Sequence, residues 1–115
     1  LPVSLGADNS ITVKRDRRTD FTSQKLIGSN RIETRSFLIS VRNNKNRDVT
    51  VKLRDQLPMP QNSNITVEAV ELSGGKHDNA TGEVIWDLTV APRETREIIF
   101  TYSVKYPKNK RVVLE

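Results

Sequence analysis

The chain has 115 residues, the size of one ordinary domain, and 32 of them are Leu, Ile, Val or Phe, enough apolar surface for a packed core. Val, Ile and Thr number 30 against 4 Ala, a balance that suits pleated strands better than helices. With no Cys and one His (His77), disulfide frameworks, Cys-ligated zinc, thiol nucleophiles and His–His metal pairs are excluded, while the net charge of +5 points to polyanions as surface partners.

In chain order, residues 1–9 read as a linker or the end of a preceding domain. The chain opens without Met or a basic-then-apolar leader, so a piece of a longer protein is expected. Its apolar runs are a few residues long, far below the ~18 that a membrane-spanning helix needs. The domain proper is expected over residues 10–107. Ile11 and Val13 open the first strand. Gly28-Ser29-Asn30 reads as a three-residue hairpin loop, since Gly and Asn tolerate positive φ. Pairing 11–27 with 31–43 around it sets Phe21 opposite Phe37 and Lys25 opposite Glu33. In the second arm Phe37, Ile39 and Val41 alternate with Ser36, Leu38, Ser40 and Arg42, the period of a strand.

The polar run Asn43–Arg47 is a turn, after which Val49, Val51 and Leu53 alternate with Thr50, Lys52 and Arg54. Two prolines in Gln56-Leu57-Pro58-Met59-Pro60 remove ladder donors and predict an extended crossing from one sheet to the other. Ile65 and Val67 start another strand, continued on the opposite parity by Val70 and Leu72; the phase break near Glu68-Ala69 predicts a β-bulge. A polar loop over 73–82 precedes Val84, Trp86, Leu88 and Val90, and Ala91-Pro92-Arg93-Glu94 suits a tight turn. Ile98, Phe100, Tyr102 and Val104 close the series. Six to seven strands with frequent turn signals predict an all-β, immunoglobulin-like antiparallel β-sandwich. Residues 108–115 read as a tail, with Leu114-Glu115 fitting a vector-derived ending as well as a native one.

Three groups of residues carry a family resemblance. They are Leu5-Gly6 with Ser10–Arg15; Val41–Lys45 with Val49-Thr50-Val51 and Asp55-Gln56-Leu57-Pro58; and Gly82–Leu88 with Pro92–Thr95 and Phe100–Pro107. Over residues 5–107 the chain resembles the C-terminal domain, of unknown function, of mucoidy-inhibitor-like bacterial proteins. The resemblance implies a module behind an N-terminal domain and a coiled coil, in a protein exported to the bacterial envelope and linked to exopolysaccharide. It brings no catalytic residues. It implies scaffold roles instead: Trp86 and Phe100 in the core, Asp55 capping the turn into the prolines, Pro92 and Pro107 ending strands.

His77 with Asp78 and Ser73 or Thr81 holds the residue types of a nucleophilic triad, but all sit in one Gly-rich loop without rigid geometry, so no catalytic residue is assigned. Asp78 and Asn79 offer hard oxygen ligands, yet the spacing fits no EF-hand and one acid makes a weak cage; no metal or cofactor site is assigned. Gly74-Gly75-Lys76 is too short for a phosphate loop. The Asn-x-Thr triplets at Asn64 and Asn79 are chance-level glycosylation signals. Of the aromatics, Tyr106 and Tyr102 are the expected exposed ones, too few for a stacking platform, so nucleic acid is disfavoured.

The expected activity is therefore that of a non-enzymatic structural or interaction module. Its partners would be the parent chain's other domains, a protein partner, or a second copy meeting its edge strands. The alternative is binding of acidic polysaccharide or another polyanion through a basic surface of Lys14, Arg15, Arg17, Arg18, Lys52 and Arg54. By strand parity Lys14, Lys52 and Arg54 point outward, while Arg15 and Arg17 share the Ile11–Val13 face.

Overall fold

The computed structural model describes residues 3–4, 10–60 and 62–108. Of the linker assigned to 1–9 and the tail assigned to 108–115, only Val3, Ser4 and Lys108 are among them. The strands are β1 (Val3–Ser4), β2 (Ile11–Arg17), β3 (Ser23–Ile27), β4 (Asn30–Asn43), β5 (Val49–Gln56), β6 (Thr66–Glu71), β7 (Lys76–His77), β8 (Glu83–Val90) and β9 (Thr95–Pro107). They form two antiparallel sheets, β1-β5-β8-β7 and β2-β4-β9-β6, with β3 also paired to β4. The protein is a β-sandwich, as its alternating pattern requires.

The core follows from that alternation. Phe37, Ile39 and Val41 of β4 and Ile98, Phe100, Tyr102 and Val104 of β9 turn toward Val51 and Leu53 of β5 and Val84, Trp86, Leu88 and Val90 of β8. Trp86 meets Phe100 edge-on across the sheets, ring centroids 5.7 Å apart, the geometry favoured by aromatic quadrupoles. The indole N–H donates to the Leu72 carbonyl, so its one polar atom is satisfied on burial. A side chain at Gly75 would come within 2.6 Å of that indole, which explains a glycine at the position.

The two ladders at the heart of the sandwich differ in length. β4 and β9 pair from Asn30↔Pro107 to Arg42↔Thr95, whereas β5 and β8 pair only from Val49↔Val90 to Gln56↔Glu83. At about 3.3 Å per residue, the larger sheet is roughly 15 Å longer. At one end both finish together, because the buried Asn43 amide donates to the carbonyls of Arg47 (2.7 Å), Val90 (3.0 Å) and Ala91 (3.2 Å). Its Oδ1 accepts the Lys45 N–H at 2.8 Å. The excess length lies at the opposite end, which carries β3.

Several expectations are corrected. The hairpin loop has two residues, Gly28 and Ser29, with Ile27 opposite Asn30 and Gly28 at φ 60°, as a loop with glycine in its first position allows. Lys25 consequently faces Ile32, and Gln24 faces Glu33. The arm is also not continuous. Residues 19–22 leave the ladder through a short 3-10 turn (Thr19–Phe21), so Arg17, not Phe21, lies opposite Phe37. That excursion shifts the register by an odd number of residues, flips the inward parity between β2 and β3, and leaves Phe21 57% exposed. Tyr102 and Tyr106, expected at the surface, are 2% and 4% exposed. The bulge in β6 falls between Ala69 and Glu71, and Val70, expected inward, points to solvent. The Ala91–Glu94 turn closes through the Glu94 N–H to Ala91 carbonyl bond, with Arg93 at φ 63°.

Asn43→Ala leaves a group of buried carbonyls without their donor. It is expected to cost about 2–4 kcal/mol in urea unfolding with an unchanged m-value. A loss below about 0.5 kcal/mol would show that water replaces the amide.

Candidate interaction surface

The inward phase of β4 does not stop where the smaller sheet stops. Ahead of Phe37 it continues as Arg35, Glu33 and Arg31, opposite Tyr102, Val104 and Tyr106 on β9 and beside Gln24 and Leu26 on β3. Charged side chains on a core phase are tolerated here because the overhang gives them room and each other as partners. Gln24 Nε2 donates to Glu33 Oε1 at 2.7 Å, and Arg35 Nη2 lies 3.5 Å from Glu33 Oε2. Tyr106 lies opposite Arg31 on this phase, next to the Glu33 and Gln24 side chains that act on its hydroxyl. Burial and the adjacent Glu33 carboxylate raise the Tyr106 pKa above its ordinary 10.0, partly opposed by Arg31 and Gln24.

Next along the inward phase, on β2, Arg15 spans the gap between the sheets. Its Nε donates to Asp55 Oδ2 at 2.9 Å and its Nη2 to Oδ1 at 3.4 Å, and the guanidinium lies 3.9 Å above the Phe37 ring. The side chains are 17% and 5% exposed, so this is a nearly buried pair joining β2 to β5. Asp55 also accepts its neighbour's N–H, from Gln56, at 2.7 Å, the cap expected at the turn into the prolines. Arg15 is thus a structural tie in this protein.

The other basic residues read from the sequence are distributed over different surfaces. Arg17 is exposed at the rim, 6.0 Å from the Phe37 ring. Arg18 turns onto the other face of the larger sheet, where its Nη1 donates to Ser36 Oγ at 3.2 Å and its guanidinium stacks 3.7 Å above Phe21. Lys14 sits on that face opposite Ser40. Lys52 and Arg54 lie on the outer face of the smaller sheet, Lys52 opposite Asp87 and Arg54 3.7 Å from Glu83. The structure therefore brings Lys14 and Arg18 to one face, and Lys52 and Arg54 to another. Lys14 instead shares a depression of about 300 Å³ with Thr12, Ser40, Arg42 and Thr95. Arg42 is held there by Asn44 Oδ1 (3.0 Å) and Thr95 Oγ1 (3.3 Å).

The residues of the conceivable triad are not assembled. The Ser73 hydroxyl engages both the carbonyl and the N–H of Ile99, at 3.0 and 2.9 Å. Asp78 Oδ1 accepts the Ala80 N–H, and His77 is exposed on β7. Among the described residues no group of three or more His, Asp or Glu is placed to hold a metal, and no helix is long and apolar enough to cross a membrane.

What the sequence did not disclose is the set of exposed apolar side chains at the overhanging end. All five residues of β3 are exposed, with Leu26 at 62% on the inward phase and Ile27 at 55% on the opposite face, and Phe21 of the preceding turn is exposed as well. Among the described residues β3 pairs with β4 alone, so its other side is a sheet edge within that set. The signal for the overhang was present: three charged residues, at 31, 33 and 35, occupy the phase that later carries Phe37, Ile39 and Val41.

Two expectations follow. Asp55→Ala strands the Arg15 charge and is expected to cost about 3–5 kcal/mol, while Arg15→Met with Asp55→Leu restores most of that stability in the same urea titration. For Tyr106, a folded pKa above the unfolded one means a contribution to stability that is complete below pH 10 and lost as pH rises through the folded value. Tyr106→Phe is therefore expected to flatten the alkaline fall in stability above pH 10, read by urea midpoints; an unchanged alkaline profile would contradict the assignment.

No curated protein and no solved structure matches this chain. The family model that does match, a domain of unknown function (DUF4139), aligns with residues 3–108, nearly all of the sandwich, and the chain belongs to that family.

Proposed function

We propose that this domain is a non-enzymatic interaction module of a larger bacterial envelope protein, of the mucoidy-inhibitor-like type, working through the β3 edge of its larger sheet. The observation that carries the reading is the overhang. A sheet extending beyond its partner exposes an edge strand, and here that edge carries Phe21, Leu26 and Ile27 at 57%, 62% and 55% exposure. Exposed edges recruit further strands through their unpaired backbone groups, with alternate side chains supplying selectivity. Photo-crosslinking in the producing bacterium tests this. A benzoylphenylalanine at Leu26 is expected to give a discrete adduct, and one at the exposed Thr50, on the outer face of the other sheet, none. Equal labelling at both positions would sink the edge reading.

A second reading, binding of acidic polysaccharide, draws support from the Lys14–Arg42 depression, where a guanidinium is already held in place by two hydrogen bonds. On this reading a labelled polyuronate binds, the binding weakens steeply with salt, and Lys14→Glu with Arg42→Glu abolishes it. A neutral glycan bound equally well would rule it out.

A further inference from the structure

The two edges of the larger sheet are opposite in charge, opposite in direction and level with each other. Along the β2–β3 edge, with Arg15 already paired to Asp55, residues 11–27 hold four further cations (Lys14, Arg17, Arg18 and Lys25) against Asp16 and Asp20. The other edge, β6, carries Glu68 and Glu71, and no Lys or Arg occurs between Arg54 and Lys76. Each strand in the order β3-β4-β9-β6 is antiparallel to the next, so β3 and β6 run in opposite directions. Their heights also agree: Lys25 is opposite Ile32, Ile32 opposite Lys105, and Lys105 opposite Thr66, while Ser23 leads through Thr34 and Ser103 to Glu68.

We propose that the β3 edge receives the β6 edge of a second copy of this chain, continuing one antiparallel sheet head to tail. This rests on the edge reading above and names the occupant. Sliding a copy sideways by one sheet width, without turning it, places β6 antiparallel beside β3 at the same height. Lys25 then lies diagonal to Glu68 on the same face, within reach of a long side chain. One step further along, Arg18, whose N–H donates to the Ser36 carbonyl, is level with Glu71 through the Ser36↔Thr101↔Glu71 row. The exposed Ile27 and Val70 lie on the two joined edges.

The symmetric alternative is disfavoured by the same residues. Two β3 strands paired about a two-fold axis at their centre would set Lys25 directly against Lys25, a like-charge pair that destabilises a ladder. A heterologous contact does not close on itself, so copies add in series. Five residues of edge bury far less than the ~1,200 Å² of a stable interface, so the contact is weak singly and gains strength where copies are held close together.

The test is sedimentation of the 115-residue chain up to millimolar concentration at low and high salt. Salt-sensitive, concentration-dependent association is expected. Lys25→Glu and Glu68→Lys are each expected to weaken it by about 3–10-fold, and an equimolar mixture of the two variants to restore it, because both junctions in the mixture are again complementary. Circular dichroism confirms that each variant remains folded. A monomer at every concentration, or association that ignores both substitutions, overturns the self-pairing. The crosslink at Leu26 separates this from the broader reading. An adduct there with another protein, beside a monomeric chain, overturns only the second copy, whereas no adduct at Leu26 overturns the use of the edge itself.

Discussion

The unequal length of the two central ladders governs the rest of this structure. A sandwich needs facing apolar strips, and the β5–β8 ladder supplies one only as far as Gln56 and Glu83. Beyond that point the β4–β9 ladder continues past the last described pair of the smaller sheet, and its inward side chains on β4 change from Phe37 to Arg35, Glu33 and Arg31. The change in chemistry marks the change in cover. Aromatic rings hold the covered stretch together, and the Arg35–Glu33 ion pair with the Gln24–Glu33 hydrogen bond holds the overhang.

Arg15 belongs to the boundary between these regions. In a fully covered sandwich an arginine on the core phase would be costly, and on a free sheet it would be one more surface cation. At the rim it does neither, because Asp55 from the opposite sheet meets it and the Phe37 ring lies beneath. The Asp55-Gln56-Leu57-Pro58 stretch has a scaffold role for the same reason. Asp55 ties the sheets, the Gln56 amide donates to the Leu57 and Thr81 carbonyls, and the Leu57 N–H donates to the Gly82 carbonyl.

Much of the fold was legible in the residues. Period-two alternation in β4, β5, β8 and β9 located the core strands and their buried faces, because burial on one face selects for it directly. The bulge in β6 showed as a phase break. The register of the first hairpin was not legible, since it depends on four residues leaving the ladder, and a short 3-10 turn has no periodicity to betray it. That one event misplaced Phe21 and Lys25 together. Tyr102 and Tyr106 were misjudged for a different reason: strand pairing alone brings Tyr102 to the Phe37 and Phe100 rings, and Tyr106 to Glu33, Gln24 and Arg31. For the candidate surface, parity correctly sent Lys14, Lys52 and Arg54 outward, but parity within a strand cannot say which of two sheets the strand joins. Lys14 and Lys52 accordingly face away from each other.

The two ends of the molecule are also unequal as places to alter it. Asn43 fastens two stretches of backbone at one end, the 43–47 turn and the end of β8, and Arg93 from the neighbouring turn adds a bond to Asn46 at 3.1 Å. A fluorescent label, an epitope or a new pair of chain termini placed between residues 44 and 47 would have to prise that cluster open. The exposed loop around Asn79 and Ala80, fastened mainly to itself through Asp78, offers an insertion point that leaves both sheets and the overhanging edge untouched.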